Sequence, residues 1–237
     1  MKTILITGAS SGIGLSTAEV FLHAGWGVGL VARRADKLDA IAARHPSAVA
    51  LPADVTDADA LKQVFERFVA TVGRLDVLFN NAGIFGPSAL PDDVSVAQFD
   101  DVMRVNVRGM FIAAQLAFAQ MRKQMPQGGR IINNGSISAH VPRDRSICYT
   151  TSKHAVTGMT RALSLDGRAF DIACGQIDIG NAESELVAAI KNDYPGLPTM
   201  DVADAARSVL HMAELPPEAN VQFMTVMATK MPYIGRG

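Results

Sequence analysis

The stretch Lys2-Thr3-Ile4-Leu5-Ile6-Thr7-Gly8-Ala9-Ser10-Ser11-Gly12-Ile13-Gly14 decides the fold. Its first half is a short apolar run with the length and β-branched content of a buried strand. Three glycines in Gly-x3-Gly-x-Gly spacing follow, and an apolar-periodic stretch over about 12–24 predicts a helix. A strand, a glycine turn and a helix in that order bring free backbone N–H groups and the positive end of a helix dipole to one point, which suits a phosphate. Glycine there lets the backbone turn tightly and approach the anion with no Cβ in the way. No lysine follows the last glycine, so the turn is not that of a nucleoside-triphosphate P-loop. The candidate pyrophosphate cradle is therefore Gly8, Ser10, Ser11, Gly12, Ile13 and Gly14.

The same alternation continues along the chain. Strands are predicted over 27–32, 48–52, 76–79, 130–133, 172–177 and 221–227. Helices are predicted over 36–44, 57–72, 98–124, 149–170 and 202–214. The strands are apolar throughout rather than alternating, as in a parallel sheet covered by helices on both faces. Right-handed strand–helix–strand crossovers then give one doubly wound α/β Rossmann domain over residues 1–237, with a seven-stranded parallel sheet. In such sheets ligands bind beyond the carboxyl ends of the strands.

Composition narrows the function. The chain has 237 residues, 49% of them hydrophobic, and 22 basic against 23 acidic side chains. Hydrophobicity at that level with little net charge excludes a disordered chain. The lack of a basic excess argues against a nucleic-acid partner. No apolar run approaches the ~20 residues of a membrane span, so no membrane partner is expected. The two cysteines, Cys148 and Cys174, offer no disulfide framework, and no Cys/His cluster has zinc spacing, so no metal is expected. Met1-Lys2 lead directly into the first strand, leaving no room for a cleavable signal; a cytoplasmic location is the expectation.

Thr7–Gly14 resembles the TGxxxGxG turn of the short-chain dehydrogenase/reductase family, in its compact branch of about 250 residues. Further motifs carry the resemblance over nearly the whole length. Asn80-Asn81-Ala82-Gly83 matches the family's NNAG, and Tyr149 with Lys153 matches its YxxxK, with Ser136 thirteen residues earlier and Asn106 as fourth member. The resemblance implies a nicotinamide dinucleotide cofactor. An NAD-binding chain usually sets an acid at the end of the second strand, to hold the ribose 2′-hydroxyl. This chain has Ala32 there, followed by Arg33 and Arg34, whose guanidinium forks suit a 2′-phosphate. NADP(H) is thus the expected cofactor, with NAD still possible: Ser11 stands where NADP-preferring relatives often carry a second basic residue. By the resemblance, Asp54 and Val55 hold the adenine and Asn81, Ala82 and Gly83 pass beside the ribose. Asp54 also reads as part of a helix cap, with Thr56 or Asp57 as the capping residue. After the sixth strand the family has Pro-Gly. This chain has Ile179-Gly180, with Ala182 and Ser184 where the nicotinamide amide would be held.

Tyr149 and Lys153, four apart in a helical stretch, share one face. A phenol serves as acid or base near neutrality only where nearby positive charge favours the phenolate, and the Lys153 ammonium would supply it. The resemblance implies an oxidoreductase interconverting a carbonyl and an alcohol by hydride transfer. In it Tyr149 gives and takes the proton, and Lys153 assists and grips the ribose. Ser136 donates to the substrate oxygen, and Asn106 holds a water leading from Lys153. The rivals are an NAD-dependent alcohol dehydrogenase of the same fold and a cofactor-sensing binding protein without turnover. Specificity is expected from 85–94, 138–147 and a short substrate loop at about 183–200, whose Tyr194–Pro198 reads as a lid. His140, Arg143 and Arg145 are expected near the mouth. Members of the family usually assemble, so a homotetramer or homodimer acting on a small molecule is expected.

Overall fold

In the computed structural model, which describes residues 1–184, 187 and 196–233, the seven strands form one all-parallel sheet. They are β1 (Thr3–Thr7), β2 (Gly27–Ala32), β3 (Ala48–Pro52), β4 (Val77–Asn80), β5 (Gly129–Asn134), β6 (Ile172–Gly180) and β7 (Phe223–Met227), in the order β3-β2-β1-β4-β5-β6-β7. The chain starts in the middle, winds to one edge, returns and winds to the other. The order reverses between β1 and β4, and there the strand ends part to leave a crevice.

Period-two alternation assigns each strand side chain to one of two helical layers. Ile4, Ile6, Phe79, Ile132 and Ile177 pack with Phe21 and Leu22 of α1 (Gly12–His23) and Leu38 and Ile41 of α2 (Ala35–Ala42). Leu5, Leu78 and Ile131, their chain neighbours, pack on the opposite face. There they meet Leu61, Phe65 and Phe68 of α3 (Ala58–Val72). Each fully buried side chain of this kind contributes about 1.5–3 kcal/mol. The cap of α3 is Asp57, whose Oδ1 accepts from Asp59 N and Ala60 N, both at 3.0 Å.

The predicted continuous helix over 98–124 is divided. It consists of α4 (Val96–Met103), a π-helical segment over Arg104–Gly109, and α5 (Met110–Lys123). Val102 is the buried residue of α4, whereas α5 buries Ile112, Ala113, Ala117 and Met121 in the core beside α3. Helix α6 (Ile147–Gly167) lies against β6, and α7 (Val202–Glu214) packs beside α1. Among the described residues no helix is long and apolar enough to cross a membrane, and no three His, Cys, Asp or Glu side chains group as metal ligands.

Among the described residues Arg130 is the one basic residue inside the sheet. Its guanidinium donates to Asn220 Oδ1 and Ala219 O (both 2.9 Å), and lies 3.4 Å from Leu215 O and Pro216 O at the end of α7. It therefore ties β5 to orphaned helix-terminal carbonyls. Arg130→Met, which keeps the apolar stem, removes the donor to Ala219 O, Leu215 O and Asn220 Oδ1, while Pro216 O keeps Ala219 N. We expect a loss of about 2–4 kcal/mol of stability by urea unfolding.

Candidate active site

The glycine turn is shaped by two requirements. Gly8 has φ of 71°, in the left-handed region. At Gly14 a Cβ would collide with Gly8 O, so the first turn of α1 lies directly on the loop before it. Ser11 opens α1 without capping it by its side chain, and no acidic residue stands in the first turn. Instead its hydroxyl accepts from Arg34 Nη2 at 2.6 Å, while Ser10 Oγ accepts from Arg34 Nε at 3.1 Å. A guanidinium is thereby laid across the mouth of the turn. Arg33, beside it, is exposed.

Asp54 follows β3. Its Oδ1 accepts from Thr56 N and Thr56 Oγ1, both at 2.8 Å. The Thr56 backbone N–H, with its hydroxyl and the charges of Arg33 and Arg104, holds the carboxyl below its ordinary value against a smaller opposing effect of burial. Asp54 therefore stays ionised at neutral pH beside the arginines.

Asn81 joins three strand ends. Its backbone N–H and that of Ala82 both donate to Thr7 Oγ1 (2.9 and 3.0 Å). Its Nδ2 donates to Thr7 O at 2.9 Å, and its Oδ1 accepts from Asn134 Nδ2 at 2.8 Å. Asn134, at the end of β5, takes Lys153 Nζ on its backbone oxygen at 2.7 Å. Lys153, on α6, is only 3% exposed, and its ammonium lies 5.5 Å from the centroid of the Tyr149 ring. Phe85 stacks on the same ring at 4.5 Å between centroids, 24° from parallel. The Ser136 hydroxyl oxygen accepts from Ser138 N at 3.1 Å, which leaves its proton to donate elsewhere.

These groups line one cleft of about 860 Å³ along the carboxyl ends of β1 to β6. From the first turn it takes Gly8, Ser10, Ser11, Gly12 and Ile13, and from the next two strand ends Arg33, Arg34, Asp54 and Val55. Beyond them it takes Asn81, Ala82, Gly83, Ser136, Tyr149, Lys153, Ala182 and Ser184. Three expected site residues are not in its wall. Gly14 is spent on the close approach just described. Gly180 lies behind, where a Cβ would meet Met227 and Met231, and Ile179 lines the cleft in its place. Asn106, within the π-helical segment, is fully buried. Its Oδ1 accepts from Ile84 N and its Nδ2 donates to Ile84 O (both 2.8 Å) and to Ser152 Oγ (3.0 Å). It braces the chain between Gly83 and Phe85 rather than facing the cleft.

Of the loop residues expected at the mouth, Arg143 lines the cleft, while His140 and Arg145 do not. Arg143 Nη2 donates to Asn181 Oδ1 at 2.5 Å. The Tyr194-Pro195 part of the expected lid lies outside the described residues. Its return at Met200 is clamped, since Glu183 N donates to Met200 O (2.8 Å) and Met200 N to Asn181 O (3.0 Å). Phe85, Asn134 and Asn181 are site residues that sequence motifs did not single out. The two asparagines follow strands, and that position was the available signal.

The wall carries five basic and two acidic side chains, although the whole chain has a formal charge of −1. Asn134 Oδ1 is buried with no hydrogen-bond partner among the described residues. A long cleft with a glycine cradle at an uncapped helix start, paired arginines and one orphaned acceptor fits an anionic dinucleotide with ribose hydroxyls to donate.

Comparison with known proteins agrees. The family model for short chain dehydrogenases matches residues 2–195. An uncharacterized oxidoreductase of Thermotoga maritima is 36% identical over 195 residues, which cover 80% of this chain and 76% of that protein. The farnesol dehydrogenase of Aedes aegypti is 30% identical over 236 residues and 95% of both chains. Among solved structures, a short chain dehydrogenase from Burkholderia cenocepacia in complex with NADP superposes with a TM-score of 0.83 at 27% identity. That match covers 95% of this chain and 96% of the other.

Thr7 is fully buried and its hydroxyl oxygen takes two backbone N–H groups. Thr7→Val keeps the shape and removes the acceptor. We expect it to cost about 1–3 kcal/mol in urea unfolding, because two part-buried donors lose their partner.

Proposed function

The chain belongs to the short-chain dehydrogenase/reductase family and is an oxidoreductase with a nicotinamide dinucleotide as cofactor, and from that premise we propose that it is NADP(H)-dependent and interconverts a small carbonyl compound and its alcohol. The observation that carries the reading is the presence in one cleft of Tyr149 beside the Lys153 ammonium and of Arg34 beside the glycine turn.

The cradle Gly8–Gly12 with the start of α1 holds the pyrophosphate. Arg34, oriented by Ser10 and Ser11, takes the 2′-phosphate together with Arg33, and Asp54 and Val55 flank the adenine. Ser11, where NADP-preferring relatives often carry a second basic residue, here accepts from Arg34 and steers its guanidinium. Asn81, Ala82 and Gly83 border the ribose, and Ala182 and Ser184 border the nicotinamide. When bound, the cofactor supplies or accepts a hydride at the substrate carbon.

The protein's own part is positioning and proton handling. The Ser136 hydroxyl, its oxygen already accepting from Ser138 N, donates to the substrate oxygen. The Tyr149 hydroxyl gives that oxygen its proton in reduction and takes it back in oxidation. The Lys153 ammonium, buried and held on Asn134 O, sets a positive charge 5.5 Å from the centre of the Tyr149 ring. Phe85 covers one face of the Tyr149 ring and fixes the plane in which the hydroxyl points. Arg143 sets a positive charge in the wall of the substrate side. A single domain, a cytoplasmic location and assembly into a homotetramer or homodimer complete the reading; β7, with Phe223 38% exposed, is the sheet edge that such an assembly would cover.

Two measurements test the reading. Hydrogen bonds to a charged phosphate contribute about 1.5–3 kcal/mol each, so Arg34→Ala should weaken NADPH binding by about 10- to 100-fold. NADH binding should change by no more than about threefold. Fluorescence titration reads both, and equal losses would remove the 2′-phosphate assignment. Tyr149→Phe should lower kcat by about 10²- to 10⁴-fold in a panel of ketones, aldehydes and quinones followed by NADPH absorbance. Its NADPH Kd should stay within about twofold of that of the unaltered protein.

A further inference from the structure

Asp178 is fully buried in β6 and lines no part of the cleft, yet it touches the segment that carries Ser136. Its Oδ1 accepts from Ser136 N at 2.8 Å and from Gln176 Nε2 at 2.7 Å, and its Oδ2 lies 2.8 Å from His140 Nε2. A carboxylate is an acceptor only, so the ring nitrogen it meets carries the proton. A buried carboxylate is costly unless each oxygen is hydrogen-bonded, and here each is. A neutral acceptor would also take the Ser136 N–H. What the carboxylate adds is a second oxygen that grips His140, on the loop between Ser136 and Tyr149.

The surroundings are built for this contact. At Gly135, the residue before Ser136, a Cβ would collide with Asp178 Oδ1 and Gln176 Nε2. Only glycine there lets the carboxylate seat under the serine. Gln176 is in turn fixed to α6, donating to Thr157 Oγ1 (3.0 Å) and accepting from Thr160 Oγ1 (3.1 Å). The same helix carries Tyr149 and Lys153. Asp178 therefore refers the backbone of Ser136 to the helix that holds the proton donor, through the side chain of Gln176.

We propose that Asp178 is a positioning residue for Ser136: its carboxylate fixes the serine's backbone from behind, and His140 clamps the carboxylate. With its N–H held by Asp178 and its Oγ held by Ser138 N, the serine keeps one direction for its hydroxyl proton, towards the substrate oxygen. The inference rests on the oxidoreductase reading for the role of Ser136, and its test has an arm that does not.

The test compares Asp178→Ala, His140→Ala and His140→Gln, alone and combined with Ser136→Ala. Amide hydrogen exchange at Ser136 is followed by NMR, and kcat, KM and NADPH Kd are measured with the carbonyl panel. Asp178→Ala should speed Ser136 exchange by at least about tenfold and lower kcat by about 10- to 100-fold. NADPH Kd should move by less than about twofold. His140→Ala should shift exchange and kcat in the same direction by about three- to tenfold, and His140→Gln, which keeps a donor at that distance, should restore both. In the Ser136→Ala background, His140→Ala should lower kcat by no more than about twofold further, as for residues acting through one another. Losses that multiply in full on that background, or Ser136 exchange and kcat unmoved by His140→Ala, would overturn the proposal. If Asp178→Ala does not fold, the half-exposed His140 carries the comparison. If the unaltered protein reduces no member of the panel, the oxidoreductase reading fails, and the exchange of Ser136 still decides the positioning claim.

Discussion

Everything in the cleft depends on how Asn81 fastens three strand ends. The sheet reverses its order between β1 and β4; the two strands pair by backbone as far as Ile6 and Phe79, and beyond that pairing Asn81 holds the rims of the crevice in register. Asn81 does so with both backbone and amide groups. It binds Thr7 at the foot of the glycine turn on one side and Asn134 on the other, and Asn134 O then receives Lys153. The phosphate end and the proton-transfer end of the cleft are thus joined by one run of charge-assisted and neutral hydrogen bonds in a poorly solvated place. There each bond is stronger than in water, and a missing partner is costlier.

Electrostatics follows from that frame. A chain that is nearly neutral overall gathers basic side chains along this wall, and three of them are held in different ways. Arg34 is held by two serines, Lys153 by a backbone oxygen and Arg143 by Asn181. Asp54 stays charged among them because Thr56 satisfies its carboxylate locally. Fixed cations of this kind need no reorganisation when an anion or a developing charge arrives, which is where most of their value for binding and catalysis lies.

Much of this was legible in the sequence, for identifiable reasons. The strands are apolar runs with glycine-rich or asparagine-rich exits, and the turn after Thr7 states its ligand through its glycines. Tyr149 and Lys153 stand at helical spacing, so their nearness needed only the helix to be right. The remainder depends on contacts between residues far apart in the chain. Nothing local in Asn106 shows that it braces Ile84, and nothing in the 98–124 periodicity shows the π-helical insertion that seats it. Gly180 follows the family pattern in sequence but faces Met227 and Met231, because the side of a strand on which a residue points is set by register with its neighbour. Asp178 and His140 are thirty-eight positions apart and meet only once β5 and β6 pair.

The most direct test of the central claim is a label transfer. NADPH carrying deuterium at C4 of the nicotinamide, in each of its two stereochemical forms, is incubated with the protein and a prochiral ketone, and the alcohol is examined by mass spectrometry and NMR. The account predicts that one of the two forms passes its deuterium to the carbinol carbon and that the other form does not. Alcohol formed with no deuterium on that carbon from either form would contradict it.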